Sequence, residues 1–157
     1  MYFVIIYTIK YFIGGEFMLV EDIVRLGQLI HNIDIKMIAK QNKNLTSMGV
    51  TVQQGLILIY LYVNKDKKIT QKMLEVNLNI TNPTVTNTIK VMMNKNLVYK
   101  IKDNVDKRKY YLYLTPYGLE LAPKCGKIME ATDREAYKNF SEKELKLLVR
   151  LLEKVRI

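Results

Sequence analysis

The residues of this chain best suited to act on a partner are amides, hydroxyls and cations, and they cluster. Asn82, Thr84, Thr86 and Asn87 sit close together at helical spacing, with Lys90 following. An Asn amide can pair with the N6/N7 edge of adenine, and a Thr methyl can meet the methyl of thymine. Lys90, further along, suits a phosphate better than a base. Upstream, Thr70 and Gln71 offer a hydroxyl and an amide to a nucleic-acid backbone. Downstream, Lys107, Arg108 and Lys109 form a cationic run beside Asp106. Arg suits a narrow, negative minor groove, above all over A-tracts. The chemistry implied is recognition of A/T-rich duplex DNA. Catalysis is not implied: there is no glycine-rich phosphate loop, no paired acids with a recognisable partner and no nucleophile motif. His31 is the only histidine and Cys125 the only cysteine, so no Cys/His metal cluster and no internal disulfide can form. No metal or cofactor is expected, and Cys125 reads as a buried, inert thiol.

These residues need a turn, two helices and a hairpin to present them. Thr70 to Leu78 reads as a short helix, and Asn79 can take the left-handed backbone that ends it. Thr81 or Asn82 can cap the next helix, with Pro83 in its first turn, where a missing N–H costs nothing. Val85, Ile89 and Met92 then turn one face inward, leaving Thr84, Asn87, Lys90, Val91 and Asn94 outward on a face free of acids. Leu97–Ile101 and Tyr110–Leu114 are aromatic and β-branched, as strands prefer. The polar loop Lys102–Lys109 lies between them. Helix, turn, helix and hairpin make a winged helix-turn-helix.

With these motifs in place, a resemblance becomes specific. Ile69-Thr70, Asn82-Pro83-Thr84-Val85-Thr86, Asn96-Leu97-Val98, Asp106-Lys107-Arg108 and Leu114-Thr115-Pro116-Tyr117-Gly118 resemble the MarR family of bacterial and archaeal transcription regulators. The family pattern there is Ser-Lys-Pro-Thr-Val-Ser/Thr-Arg, Gly-Leu-Val, an Asp-x-Arg wing and Leu-Thr-x-x-Gly. Asn79 and Asn96 stand where the family favours Gly, a swap that a left-handed residue tolerates. Asn87 stands where it often has Arg, so base reading must be done differently here. The resemblance implies a homodimer of the repressor type whose two reading helices, roughly 34 Å apart, address a palindrome. It implies that Thr81, Asn82 and Pro83 approach the DNA, that Asp106 orients the wing through an ion pair, and that Arg108 enters the minor groove. It also implies a cleft, between dimer and DNA-binding lobes, for a small aromatic acid or other effector. Tyr60 and Met37 could line such a cleft, although aromatic and Met residues at helical spacing are more often core. Some relatives sense peroxide with a cysteine in the first helix. None lies there.

The chain of 157 residues is long enough to bury a core without staples. Its formal charge is +10, and from Lys65 to Tyr113 eleven Lys/Arg stand against four Asp/Glu, a net of +7. A basic segment that coincides with a helix-turn-helix is the footprint of a polyanion binder, although charge runs are often merely solvated faces.

The expected fold class is mostly α with a small β-hairpin wing (α+β). Residues 49–115 should form the DNA-binding lobe, and 18–48 with 116–157 a helical dimerisation region. Leu19, Ile23, Leu26, Ile30, Ile33 and Met37 alternate steps of four and three, a seam that usually faces another helix, here a partner chain. Ser141–Glu144 is a capping box, and Leu145, Leu148, Leu152 and Val155 make the stripe of the last helix. Lys40–Met48 reads as a polar break and Thr51–Gln54 as a capping box opening a core helix. Thr115-Pro116 caps a long helix that Pro123 should kink or restart.

Residues 1–17 form an apolar extension broken by Lys10, too short to span a membrane, which takes roughly 20 apolar residues, and without signal-peptide flanks. Gly14–Phe17 can be encoded by a purine-rich ribosome-binding sequence, so translation is expected to begin at Met18. A reducing cytoplasm and no membrane are expected. Two rival readings are a winged helix that binds a protein or RNA, and a membrane-associated regulator that uses Met1–Ile13.

Overall fold

The computed structural model describes residues 20–156. The chain divides into two compact units, Met1–Ala39 and Lys40–Ile157. The apolar extension, the start at Met18, and Leu19 all lie outside the described residues.

In the first unit the described residues belong to helix α1 (Val20–Leu45). Within this unit Ile23, Leu26, Ile30 and Ile33 are exposed, and Met37 is half-buried.

The second unit corrects the polar break expected over Lys40–Met48. Helix α1 continues to Leu45, and only the single turn Thr46–Met48 follows it, closed by Gly49 at φ 65°. The polar residues are clamps. Gln41 Nε2 donates to Asp133 Oδ1 at 2.7 Å, Asn44 Nδ2 donates to Thr132 Oγ1 at 2.8 Å, and Asn42 Oδ1 accepts from the Val52 N–H at 2.8 Å. Leu45 beside them is fully buried. Amides that read as loop composition therefore pin the helix to its neighbours.

Helix α2 (Val52–Val63) opens with both halves of the Thr51/Gln54 capping box and packs along α5 (Pro116–Tyr137). Ile57, Leu58, Ala122 and Cys125 are fully buried. Helices α3 (Gln71–Leu78) and α4 (Asn82–Asn94) close the lower side of this core through Leu74, Val85, Ile89 and Met92. Strands β1 (Val98–Lys102) and β2 (Tyr110–Leu114) pair antiparallel, from Val98↔Leu114 to Lys102↔Tyr110. Ile69 bridges to Leu112 and so fastens the start of α3 to the hairpin. The fold is mostly helical with a two-stranded wing, as expected.

Two further expectations change. Helix α5 runs unbroken through Pro123, which does not restart it. One backbone bond is lost there, but Leu121, Ala122 and Cys125 anchor the flanking turns in the core. Helix α6 (Glu142–Leu152) keeps its capping box but ends at Leu152, so Val155 lies beyond it in a closing turn. No residue of α6 is buried.

Candidate nucleic-acid interface

The turn before α4 is built by backbone conformation. Asn79 adopts φ 50°, ψ 48°, and its N–H bonds back to the Glu75 carbonyl, which also accepts from the Ile80 N–H at 3.1 Å. Asn96 takes the second left-handed position, at φ 54°, where α4 hands over to the wing. Thr81 is the residue that caps α4 by position, yet its hydroxyl accepts from no backbone N–H of the helix. It meets the Thr84 hydroxyl at 2.8 Å. Val85, Ile89 and Met92 have no exposed surface, which fixes the rotation of α4. Thr86, Asn87, Lys90, Val91 and Asn94 are consequently exposed and Thr84 half-exposed, as the spacing requires.

The candidate readers are not equally free. Asn82 Nδ2 donates to Glu75 Oε1. Thr86 Oγ1 accepts from Gln71 Nε2 at 3.1 Å, and Gln71 Oε1 accepts from Lys100 Nζ at 2.8 Å. The Thr70 hydroxyl caps α3 by accepting from the Met73 N–H at 3.3 Å. Asn87 and Lys90 have no side-chain hydrogen bond among the described residues. Among the candidate readers on α4, Asn87 and Lys90 are thus uncommitted, whereas Asn82 and Thr86, like Gln71 on α3, are already oriented by protein partners.

At the tip, Asp106 does hold cations: Arg108 Nε lies 3.4 Å and Lys109 Nζ 3.7 Å from its carboxylate, and the Arg108 N–H bonds to it at 3.1 Å. The Arg108 side chain is still 93% exposed. Lys107 is exposed beside it.

Sequence reasoning missed three residues. Asp103 Oδ1 accepts from the N–H groups of Asp106 at 2.7 Å and Val105 at 2.9 Å, folding the tip into a tight turn. Those N–H groups, with the Tyr111 hydroxyl, hold its carboxyl below the usual range. Lys100 lies on the covered side of the wing, where burial lowers its pKa. Strand alternation from Val98 was the available signal for it. Glu75 is buried in α3. A charged residue beside Leu74 in a short helix gave no sequence signal of burial.

Among the described residues no group of three or more His, Cys, Asp or Glu could hold a metal ion. Burial raises the pKa of Cys125, which suits the inert role expected for it.

A family model described as the MarR family matches residues 48–109, from the turn before α2 to the tip of the wing. The S. aureus MepR–DNA complex is 28% identical, covers 80% of this chain and 90% of its own, and superposes with a TM-score of 0.73. A mutant MarR from E. coli complexed with operator DNA is 26% identical over 88% of this chain and 99% of its own, with a TM-score of 0.77. Over residues 48–109 the chain is similar to the MarR family, and its fold is that of the MarR and MepR regulators. A further MarR-family structure, the regulator MarR from Oenococcus oeni, is 25% identical over 82% of this chain and 96% of its own, with a TM-score of 0.68. No curated protein sequence matches the chain significantly. Among the described residues, no single helix is long and apolar enough to cross a membrane.

Proposed function

We propose that this chain is a sequence-specific, double-stranded DNA-binding transcription regulator that acts as a homodimeric repressor on an A/T-rich palindrome. The observation that carries the reading is the acid-free outer face of α4 beside an exposed Arg108 at the wing tip. In that arrangement Asn87, Thr84 and the neighbouring amides meet base edges, while Lys90, Lys107 and Lys109 hold phosphates. Thr70, Thr81 and Pro83 approach the backbone from the ends of α3 and α4. Asp106 keeps the wing cations in place, and Arg108 enters the minor groove.

One lobe covers one half-site, so a twofold partner is part of the reading. The exposed aliphatic stripe of Ile23, Leu26, Ile30 and Ile33 supports it, and so does α6, where Leu152 is exposed and Leu148 half-buried. Release by a small aromatic or other effector is included as well. A cavity of about 350 Å³ beside the wing has Leu61 and Leu119 in its lining, the Tyr99 and Tyr113 rings in its wall, and Lys65 and Lys67 at its edge. Its lining mixes these apolar and aromatic residues with Asn64 and the acid Asp66 between the two lysines, so it suits a small aromatic effector without selecting a carboxylate.

Selection of bound sequences from random duplex DNA tests the proposal. The expected result is a palindromic, A/T-rich consensus whose affinity falls steeply with salt. No enrichment, or equal binding to RNA, overturns it.

A further inference from the structure

We propose that Glu75 is a positioning residue that decides which hydrogen-bonding atom Asn82 turns toward DNA, an inference that rests on the DNA-binding reading above. Glu75 sits in α3 with only 8% of its surface exposed, unusual for a carboxylate. Both of its oxygens are engaged. Oε2 accepts from Lys72 Nζ at 2.8 Å and Oε1 accepts from Asn82 Nδ2. The Lys72 ammonium, with the Asn82 amide, holds the carboxyl below its usual range, so it is ionised at neutral pH.

An ionised carboxylate can only accept. It therefore selects the NH₂ end of the Asn82 amide and leaves Oδ1 with no hydrogen bond among the described residues. Asn82 is the first residue of α4 and is exposed. The atom left for a partner is an acceptor. It fits the exocyclic amine of adenine or cytosine and has nothing to donate to guanine O6 or thymine O4.

The carboxylate is itself fixed. The main-chain oxygen of Glu75 accepts from Asn79 and Ile80, so one residue braces the turn with its backbone and keys the next helix with its side chain. Lys72, whose side chain is 78% exposed, neutralises the acid on the side open to solvent. That arrangement lets an acid stand beside a reading helix without repelling phosphates.

Glu75→Gln tests the idea, because a Gln of the same shape can donate or accept and so admits both orientations of Asn82. The experiment measures the affinities of wild type, Glu75→Gln, Asn82→Ala and the double variant for duplexes varied at each base pair of the selected site. The wild type should favour an amine-bearing base at one position in each half-site by roughly tenfold. Glu75→Gln should lose that preference while retaining affinity for unrelated duplex. Asn82→Ala should lose it too, and the double variant should lose nothing more.

A Glu75→Gln protein that keeps the preference, or an Asn82→Ala protein with no altered position, overturns the inference and leaves the DNA-binding reading intact. A wild type that ignores duplex DNA overturns that reading instead. Should Glu75→Gln fail to fold, side-chain amide exchange in the free wild-type protein decides the contact. The Asn82 NH₂ protons should exchange more slowly than those of Asn87, and equal exchange overturns the inference.

Discussion

Lys100 on the wing donates to Oε1 of Gln71 at 2.8 Å, and the other end of the same amide donates to Thr86 on the reading helix at 3.1 Å. One side chain at the start of α3 thus ties the two DNA-facing elements together. Each bond contributes modestly, typically about 1 kcal/mol for a neutral pair and more where a charge is involved. Gln71→Ala removes both. The expected outcome is weaker DNA binding by about 1–2 kcal/mol with a smaller loss of thermal stability, because the Gln71–Thr86 bond is exposed and the Lys100–Gln71 bond only part-buried. Fluorescence anisotropy and a melting curve together check this. A fall in melting temperature with unchanged affinity would assign Gln71 to the fold alone.

Arg108 is paired with Asp106 at 3.4 Å, but its side chain is 93% exposed. A surface pair of this kind contributes little to folding, so the guanidinium stays available to DNA. Arg108→Ala should leave stability unchanged and weaken operator binding by about 1–3 kcal/mol. It should also flatten the salt dependence by about one counterion. Titrations at several salt concentrations measure both, and an unchanged affinity at moderate salt refutes the minor-groove role.

What the sequence displayed clearly was local. That Asn79 can be left-handed and that Val85, Ile89 and Met92 face inward both follow from neighbours a few residues away. The restart expected at Pro123 and the polar break expected over Lys40–Met48 misled for the opposite reason. Their outcome is set by contacts far along the chain, such as Gln41 with Asp133. The candidate site divides in the same way. Asn87, Lys90 and Arg108 stood out by type and spacing. The partners that commit Asn82 and Thr86, namely Glu75 and Gln71 with Lys100, come from other elements, and no periodicity reveals them.

Gly118 gives a sharper test of the packing between wing and α5. A Cβ there would stand 2.1 Å from the carbonyl oxygen of Leu97, a backbone atom that cannot swing aside. That same oxygen accepts from the Thr115 N–H at 3.1 Å. Gly118→Ala should therefore destabilise the fold by about 1–3 kcal/mol, as overpacking does, even though Ala favours helices. Chemical denaturation measures it, and a neutral or stabilising result would mean that α5 docks further from Leu97.

Asp103 should make the wing tip sensitive to acid. Its folded pKa is depressed, chiefly by the Asp106 N–H, so its contribution is complete above the ordinary Asp value of 3.8 and is lost as pH falls through the lower folded value. The amide resonances of Val105 and Asp106 should move together in that acid window while the α2 amides stay put. Asp103→Asn should abolish the joint transition. If the tip resonances of wild type follow pH like those of a free peptide, the turn is not held by this carboxylate.

The strongest demand on the functional reading falls on α1. Ile23, Leu26, Ile30 and Ile33 are 45–55% exposed in the single chain. An aliphatic stripe at steps of three and four is the pattern of a helix with a partner, since apolar area removed from water contributes about 25 cal/mol per Å². Replacing Leu26 and Ile30 by Glu puts two charges into that stripe without touching the buried core of the second unit. The variant should sediment as a monomer with an intact circular-dichroism spectrum. It should also bind the full palindrome no better than a single half-site, a loss of up to about 10²–10⁴ in affinity if both lobes of the wild type engage at once. A variant that remains dimeric would place the twofold contact elsewhere. One that is monomeric yet binds the palindrome undiminished would show that each lobe acts alone, and the palindrome would lose its physical basis.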